Sequence, residues 1–291
     1  MRRRQIMFRI LFLFIMITPV FASVSYSISQ ERVANSQTVL FEISSDQPIE
    51  KAYVAYLGTR YPFYPHPSNM QETYFALVPT SYYEKPKQKD AVIVTIHNGE
   101  KSYISVPLMI VKGKYKSEKL SVKSSKAKFS KKDSERIKRE SKEAKKIYAK
   151  ITPTSYITES FRVPLNSKVT SRFGNKRVFN GILKSYHSGT DFRAPIGTPI
   201  TSSNAGIVVI AKNRFFAGNS VVIDHGRGIY TQYYHLSKLK VKVGDRVEKA
   251  QVLGLAGSTG RSTGPHLHFG VKVQGVTVDP MQFLETVNAL Y

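Results

Sequence analysis

Gly260-Arg-Ser-Thr-Gly-Pro-His-Leu-His-Phe269, continuing as Gly270-Val-Lys-Val273, is the stretch on which the reading of this chain turns. It runs from a glycine- and serine-rich loop into a strand candidate over His266–Val273. In an extended chain, residues i and i+2 leave the backbone on the same side. His266 and His268 therefore stand side by side on one face, and Leu267 turns toward the core. Two adjacent imidazoles on one face cannot both be ordinary buried core. One is suited to bind a metal ion while its neighbour handles a proton or polarises a carbonyl.

Working outward, the region beyond Pro153 is punctuated by glycine and shows no long helical period before Pro280–Tyr291. Strands are expected at Lys168–Ser171, Pro199–Ser202, Gly206–Ala211, Ser220–His225, Ile229–His235, Lys240–Val243, Gln251–Ala256, His266–Val273 and Val276–Val278. A closing helix is expected from Pro280, with Phe283, Leu284, Val287 and Leu290 on one side. Upstream, Val24–Val111 reads as a second run of short strands, at Val24–Ile28, Thr38–Ile43, Ala52–Tyr56, Thr73–Val78, Ala91–His97 and Ser102–Val111. Ser45–Pro48, the proline-rich Tyr61–Ser68 and Asn98-Gly99 are expected as the turns between them. The fold class expected is mainly β: a β-sandwich-like domain over 23–111, a basic linker and helix over 112–152, and an antiparallel-β domain over 153–291.

The chain has 291 residues, 41% of them hydrophobic, and no cysteine. That excludes disulfide scaffolds, thiolate catalysis and cysteine-bound zinc, so any metal must be held by histidine nitrogen and carboxylate oxygen. The net charge of +24 is uneven: residues 112–150 hold 16 Lys/Arg against 5 Asp/Glu, and Arg2, Arg3, Arg4 and Arg9 crowd the N-terminus. In the linker, Ser130-Lys-Lys-Asp133 resembles a capping box opening a helix to about Lys150. Ile137, Ala144, Ile147, Tyr148 and Ile151 recur at helical spacing, so one face is expected to pack while the lysines face water.

The compartment is read from the first residues. Met1–Arg9 is basic, Ile10–Ile17 is a compact apolar run, and Val20-Phe-Ala22 suits a signal peptidase, so cleavage is expected after Ala22. The uncharged stretch Ile10–Ala22 is short of the roughly 20 residues a membrane-spanning helix needs, and no transmembrane span is expected in the mature chain. Export argues against nucleic acid as the partner of the positive charge and leaves contact with an anionic membrane or wall as the functional reading of the basic helix.

The remaining histidines sort by context. In His187-Ser-Gly-Thr-Asp191, Gly189 and Pro195 argue for a turn entering a strand, where imidazole and carboxylate can converge on one ion. His235 closes the aromatic strand Tyr230–Tyr234. His225, within Ile223-Asp-His-Gly-Arg-Gly228, reads as a hairpin-turn residue, and His66 and His97 as structural or solvent-facing. Two neutral histidines and one carboxylate on Zn²⁺ would leave an open fourth position, as hydrolysis needs. Mg²⁺ or Ca²⁺ would want more carboxylates.

Ser171-Arg-Phe-Gly174, Phe179-Asn-Gly181, His187-x-x-x-Asp191, Val222-Ile-Asp-His-Gly226, Tyr234-His-Leu-Ser237 and Gly260–Phe269 together resemble the zinc peptidases of the lysostaphin/LytM type, the M23 metallopeptidases. The resemblance spans about Phe161–Phe283. It implies one zinc held by His187, Asp191 and His268, with His235 and His266 as catalytic imidazoles. It also implies an exported, periplasmic enzyme of a Gram-negative cell that acts on peptidoglycan stem peptides or cross-links, as a D-Ala–meso-diaminopimelate endopeptidase and/or carboxypeptidase. Two rivals stand beside it. A non-catalytic wall-binding or amidase-activating protein is opposed by the complete ligand set. A lipoyl-type carrier, suggested by Val241–Leu253, is better read as shared β-architecture.

Overall fold

The computed structural model describes residues 22–68, 71–120, 129–179 and 182–291. The expected leader, up to its last residue, and part of the Phe179-Asn-Gly181 motif lie outside the described residues. Among the described residues the N-terminal strands are β1 (Val24–Ile28), β2 (Arg32–Ala34), β3 (Thr38–Ser45), β4 (Lys51–Tyr56), β5 (Thr59–Pro62), β6 (Tyr64–Pro65), β7 (Thr73–Pro79), β8 (Lys87–His97) and β9 (Glu100–Val111). They form two sheets, ordered β1-β3-β7-β6 and β2-β9-β8-β4-β5. Period-2 side chains fill the space between them: Val39, Phe41 and Ile43 from β3 meet Val54 of β4, Ile93 of β8 and Leu108 of β9. The turn Asn98-Gly99 has φ of 48° and 78°, and His97 faces Glu100 across it, as a two-residue hairpin requires.

Tyr61–Ser68 is not wholly a turn: its first residues belong to β5 and β6. Both lie at sheet edges, where the missing proline N–H costs no ladder bond. Strand β3 departs from simple alternation because its second face is also covered. Leu40, with Phe75 and Leu77 of β7, joins the core of the C-terminal half.

The C-terminal half follows β10 (Ser117–Leu120) and helix α1 (Lys131–Tyr148). Its strands are β11 (Val169–Ser171), β12 (Lys176–Phe179), β13 (Ile182–Tyr186), β14 (Thr190–Arg193), β15 (Pro199–Thr201), β16 (Gly206–Arg214), β17 (Gly218–Asp224), β18 (Ile229–Leu236), β19 (Lys238–Leu239), β20 (Arg246–Val247), β21 (Val252–Leu255), β22 (His266–Val273) and β23 (Val276–Val278). The main sheet runs β11-β14-β22-β18-β17-β16-β20, with β23 paired to β22, and all its pairs are antiparallel. Its core face carries Leu267, Phe269 and Val271 of β22 with Ile229 and Tyr233 of β18. Helix α2 (Pro280–Asn288) lays Phe283, Leu284 and Val287 on that core. Asp279 caps it by accepting from the Met281 N–H. The Gln282 amide bonds both backbone groups of Thr38 in β3, each at 2.8 Å.

Lys240–Val243, expected as a strand, is a loop between β19 and β20; the turn Lys242–Asp245 satisfies its backbone instead. Helix α1 starts where the capping pattern places it, with the Ser130 hydroxyl accepting from the Asp133 N–H at 3.0 Å. It ends two residues short of Lys150. Ile151, expected on the packing stripe, is beyond the last turn and 43% exposed. The stripe that does pack, Ala144, Ile147 and Tyr148, covers Ile210, Val222 and Tyr230 on the outer face of the main sheet. Lys131, Lys132, Lys138, Arg139, Lys142, Lys145 and Lys146 are exposed. Among the described residues, no helix is long and apolar enough to cross a membrane.

Candidate metal centre and active site

The site is built where β14, β18 and β22 lie side by side. Asp191 of β14 and His268 of β22 are directly opposite in register, as are Tyr234 of β18 and His268. Opposite residues of an antiparallel pair share a face, so strand pairing alone brings the carboxylate to the imidazole. His187 comes from the loop between β13 and β14, held by backbone bonds from Gly174 N–H to its carbonyl and from its own N–H to Asn175, each 2.8 Å. Gly189 in that loop is required by close approach: a Cβ there would lie 2.4 Å from the Phe269 carbonyl oxygen and 2.6 Å from His268 Nε2.

The three candidate ligands converge. Asp191 Oδ1 lies 2.9 Å from His187 Nε2 and 2.9 Å from His268 Nδ1, and those two nitrogens are 3.0 Å apart. Donors on a tetrahedral zinc at about 2.05 Å stand roughly 3.3 Å apart, so the triangle closes round an ion with a few tenths of an ångström of adjustment. The tautomers also fit. His187 Nδ1 donates to the Arg172 carbonyl at 2.9 Å, which leaves the Nε2 lone pair facing the triangle. Burial alone would raise the Asp191 pKa, yet the His187 and His268 imidazoles set against it hold its carboxyl well below the usual carboxylate range. All three side chains are buried, His187 to 1% exposure.

Two more imidazoles flank the triangle. The His235 and His266 ring centres are 4.7 Å apart, and His235 lies 6.1 Å from His268. His266 Nδ1 donates to the Gly264 carbonyl at 2.8 Å, and its Nε2 stands 3.8 Å from Asp191 Oδ1. His235 Nδ1 donates to the Thr259 carbonyl at 2.8 Å. Burial pushes the His235 imidazole down to about 4, with His268 and His266 adding to the shift and the Thr259 carbonyl opposing it. It is therefore neutral at physiological pH, with Nε2 free of a proton. Its backbone sits at φ 65°, an unusual conformation for a residue with a Cβ.

The other histidines stay apart. His225 occupies the β17–β18 turn as expected but is fully buried, with Nδ1 2.6 Å from the Ala205 carbonyl and Nε2 2.7 Å from the Thr231 hydroxyl. His66 pairs with Glu42 at 3.2 Å, and His97 Nδ1 meets the Pro48 carbonyl at 3.0 Å. Sequence reasoning missed the groups that orient the imidazoles. The carbonyls of Arg172, Thr259 and Gly264 are backbone atoms with no signature of their own.

Residues 185–280 match the model of peptidase family M23. The catalytic domain of lysostaphin from Staphylococcus simulans is 38% identical to this chain, over 41% of this chain and 93% of that domain, with a TM-score of 0.37. The chain belongs to peptidase family M23. All five imidazole and carboxylate side chains of the site fall inside the matched segment. A chain from Pseudomonas aeruginosa assigned to peptidase M23 superimposes with a TM-score of 0.62 at 26% identity, covering 81% of this M23 peptidase and 89% of the other. The peptidoglycan DD-endopeptidase ShyA of Vibrio cholerae is 46% identical over 125 residues, 42% of this chain and 29% of ShyA. The chain thus spans under a third of the length of that relative.

Proposed function

We propose that this M23 peptidase is exported and hydrolyses peptide bonds in peptidoglycan stem peptides or cross-links, using one zinc ion held by His187, Asp191 and His268. The observation that carries the proposal is the triangle of donor atoms at 2.9–3.0 Å with two further imidazoles against it. Its donors, two nitrogens and one carboxylate oxygen, suit zinc and leave a coordination position open. Zinc there would supply a Lewis acid that acidifies a bound water and polarises a scissile carbonyl.

The protein groups divide the proton work. His235, held neutral and donating through Nδ1 to Thr259, presents Nε2 as the acceptor for a proton from the attacking water. His266, anchored through Nδ1 to Gly264, presents Nε2 beside Asp191; with a second proton on that nitrogen, as imidazolium, it would stabilise developing negative charge or give that proton to the leaving amine, and the proton that His235 takes from the water keeps the balance. The substrate class is supported by ShyA, which is named for peptidoglycan, and by the net positive charge that remains when the four leader arginines are taken from +24, which suits a carboxylate-bearing polymer. The activity proposed is that of a D-Ala–meso-diaminopimelate endopeptidase, which cuts the cross-link, and/or that of a carboxypeptidase, which trims the stem-peptide end. The units that would do this are the sandwich over 23–111, the linker over 112–152 and the peptidase domain over 153–291. Digestion of purified muropeptides with mass analysis of the products is the test. Cleavage products that vanish with a chelator and return with zinc are expected; intact cross-linked dimers and untrimmed stems after prolonged incubation with zinc would refute the proposal.

A further inference from the structure

Behind His268 lies a layer of side chains for which the reaction has no use. Tyr234, opposite His268 in the β18–β22 ladder, stacks on the imidazole with ring centres 5.2 Å apart and 11° between planes. On the other side of β18, Arg214 at the end of β16 brings its guanidinium carbon 4.9 Å from the Tyr234 ring centre. That guanidinium is held in turn: the residue is 8% exposed, and its Nε donates to the Ser220 hydroxyl at 2.9 Å. Helix α1 reaches the same patch through Tyr148, whose hydroxyl accepts from Gln232 Nε2 at 2.8 Å.

The terminal torsion of a histidine joins sp³ to sp² carbon and has a broad, roughly two-fold profile. Nothing in the residue itself therefore keeps Nδ1, rather than another ring edge, directed at Asp191 and His187. We propose that Tyr234 is a positioning residue for the metal centre. It is a flat support, braced by Arg214, that fixes the plane of His268 so that Nδ1 stays in the donor triangle. Gly189 completes the slot, since its missing side chain leaves just enough room for the far edge of the same imidazole. The inference rests on the reading of His268 as a metal ligand.

The test uses the full chain with Tyr234→Leu, which keeps apolar bulk but loses the flat face, and Tyr234→Phe, which keeps the face. Zinc affinity is measured by chelator competition, and the ligand field by the visible absorption of the cobalt(II)-loaded protein. Disturbing groups that orient metal ligands typically costs about 10–100-fold in affinity. Tyr234→Leu is expected to show a loss of that order with an altered cobalt spectrum, at unchanged circular dichroism, and Tyr234→Phe to restore both. Wild-type affinity and spectrum in Tyr234→Leu would overturn the inference, as would a loss in Tyr234→Phe equal to that in Tyr234→Leu. Should Tyr234→Leu fail to fold, Arg214→Met takes its place, with a several-fold loss expected and an unchanged affinity and spectrum overturning the bracing role. A wild-type chain that binds no zinc would instead remove the metal-centre reading itself.

Discussion

Replacing His235 separates two things that one residue does at one position. Its imidazole is assigned the proton transfer, and its backbone holds φ at 65° beside the Thr259 carbonyl. The left-handed region costs a residue with a Cβ roughly 1–2 kcal/mol, whereas glycine enters it freely but gives up about 0.5–1 kcal/mol in chain entropy. The balance predicts that His235→Gly is more stable than His235→Ala by about 1 kcal/mol, a difference of roughly 2–4 °C in Tm for a chain of this order of size. Both variants lose the imidazole, so both should lose about 10²–10⁴-fold in turnover of a soluble muropeptide. Both should keep their zinc, because His235 lies outside the donor triangle, 6.1 Å from the His268 ring. Calorimetry, elemental analysis of the purified variants and product mass analysis read the three quantities separately. Equal melting temperatures for the two variants would refute the backbone argument, and near-wild-type turnover in either would show that the acceptor is another group.

Three further outcomes are expected. His187→Ala, Asp191→Ala and His268→Ala should each lose bound zinc, because removing one of three donors leaves too few to fix the ion; normal zinc content in all three would sink the ligand assignment. His225, fully buried, is pushed down to about 4 from 6.5 by burial, against the hydrogen bond to Ala205. The unfolded chain therefore takes up this proton first as the pH falls. Stability should decline from about pH 6.5 to about pH 4, by up to ~3 kcal/mol from this residue. His225→Gln should flatten that slope by about one proton, so an identical slope in denaturant titrations across that range would count against the assignment. If α1 holds the protein on an anionic wall, neutralising Lys138, Lys142, Lys145 and Lys146 should weaken sedimentation with purified sacculi and its salt dependence while leaving soluble muropeptide cleavage intact. Unchanged pelleting across a salt series would mean that the lysines serve only to solvate the helix.

The fold was most legible where side-chain period and burial agree. His266–Val273 and Val276–Val278 are strands with the bounds the alternation predicts, and α2 starts at Pro280 because proline suits a first helical position and Asp279 can cap it. Edge elements were not legible. Proline in Thr59–Pro62 and Tyr64–Pro65 reads as a turn signal because a sequence does not reveal which strand will lack a neighbour. Lys240–Val243 alternates like a strand, yet Asp245 draws its backbone into a turn by accepting from the Lys242 N–H. At the site, spacing puts His266 and His268 on one face, whereas the roles of His187, Asp191 and His235 are read from the resemblance of their motifs to the family's. The position of α1 on the same sheet face as the imidazoles was not legible, because an amphipathic stripe tells that a helix packs without telling on what.

The double burial of β3 bears on how this protein can be cut or rebuilt. Leu40, Phe75 and Leu77 are part of the same apolar cluster as Phe283, Leu284 and Val287, and Gln282 clasps Thr38 across the seam. A fragment starting after the linker would leave that end of its own core open to water, so modularity stops at this seam. Heat should melt both halves in one cooperative event. Any graft that exchanges the leading sandwich for another would have to carry those three side chains and the Thr38 backbone with it.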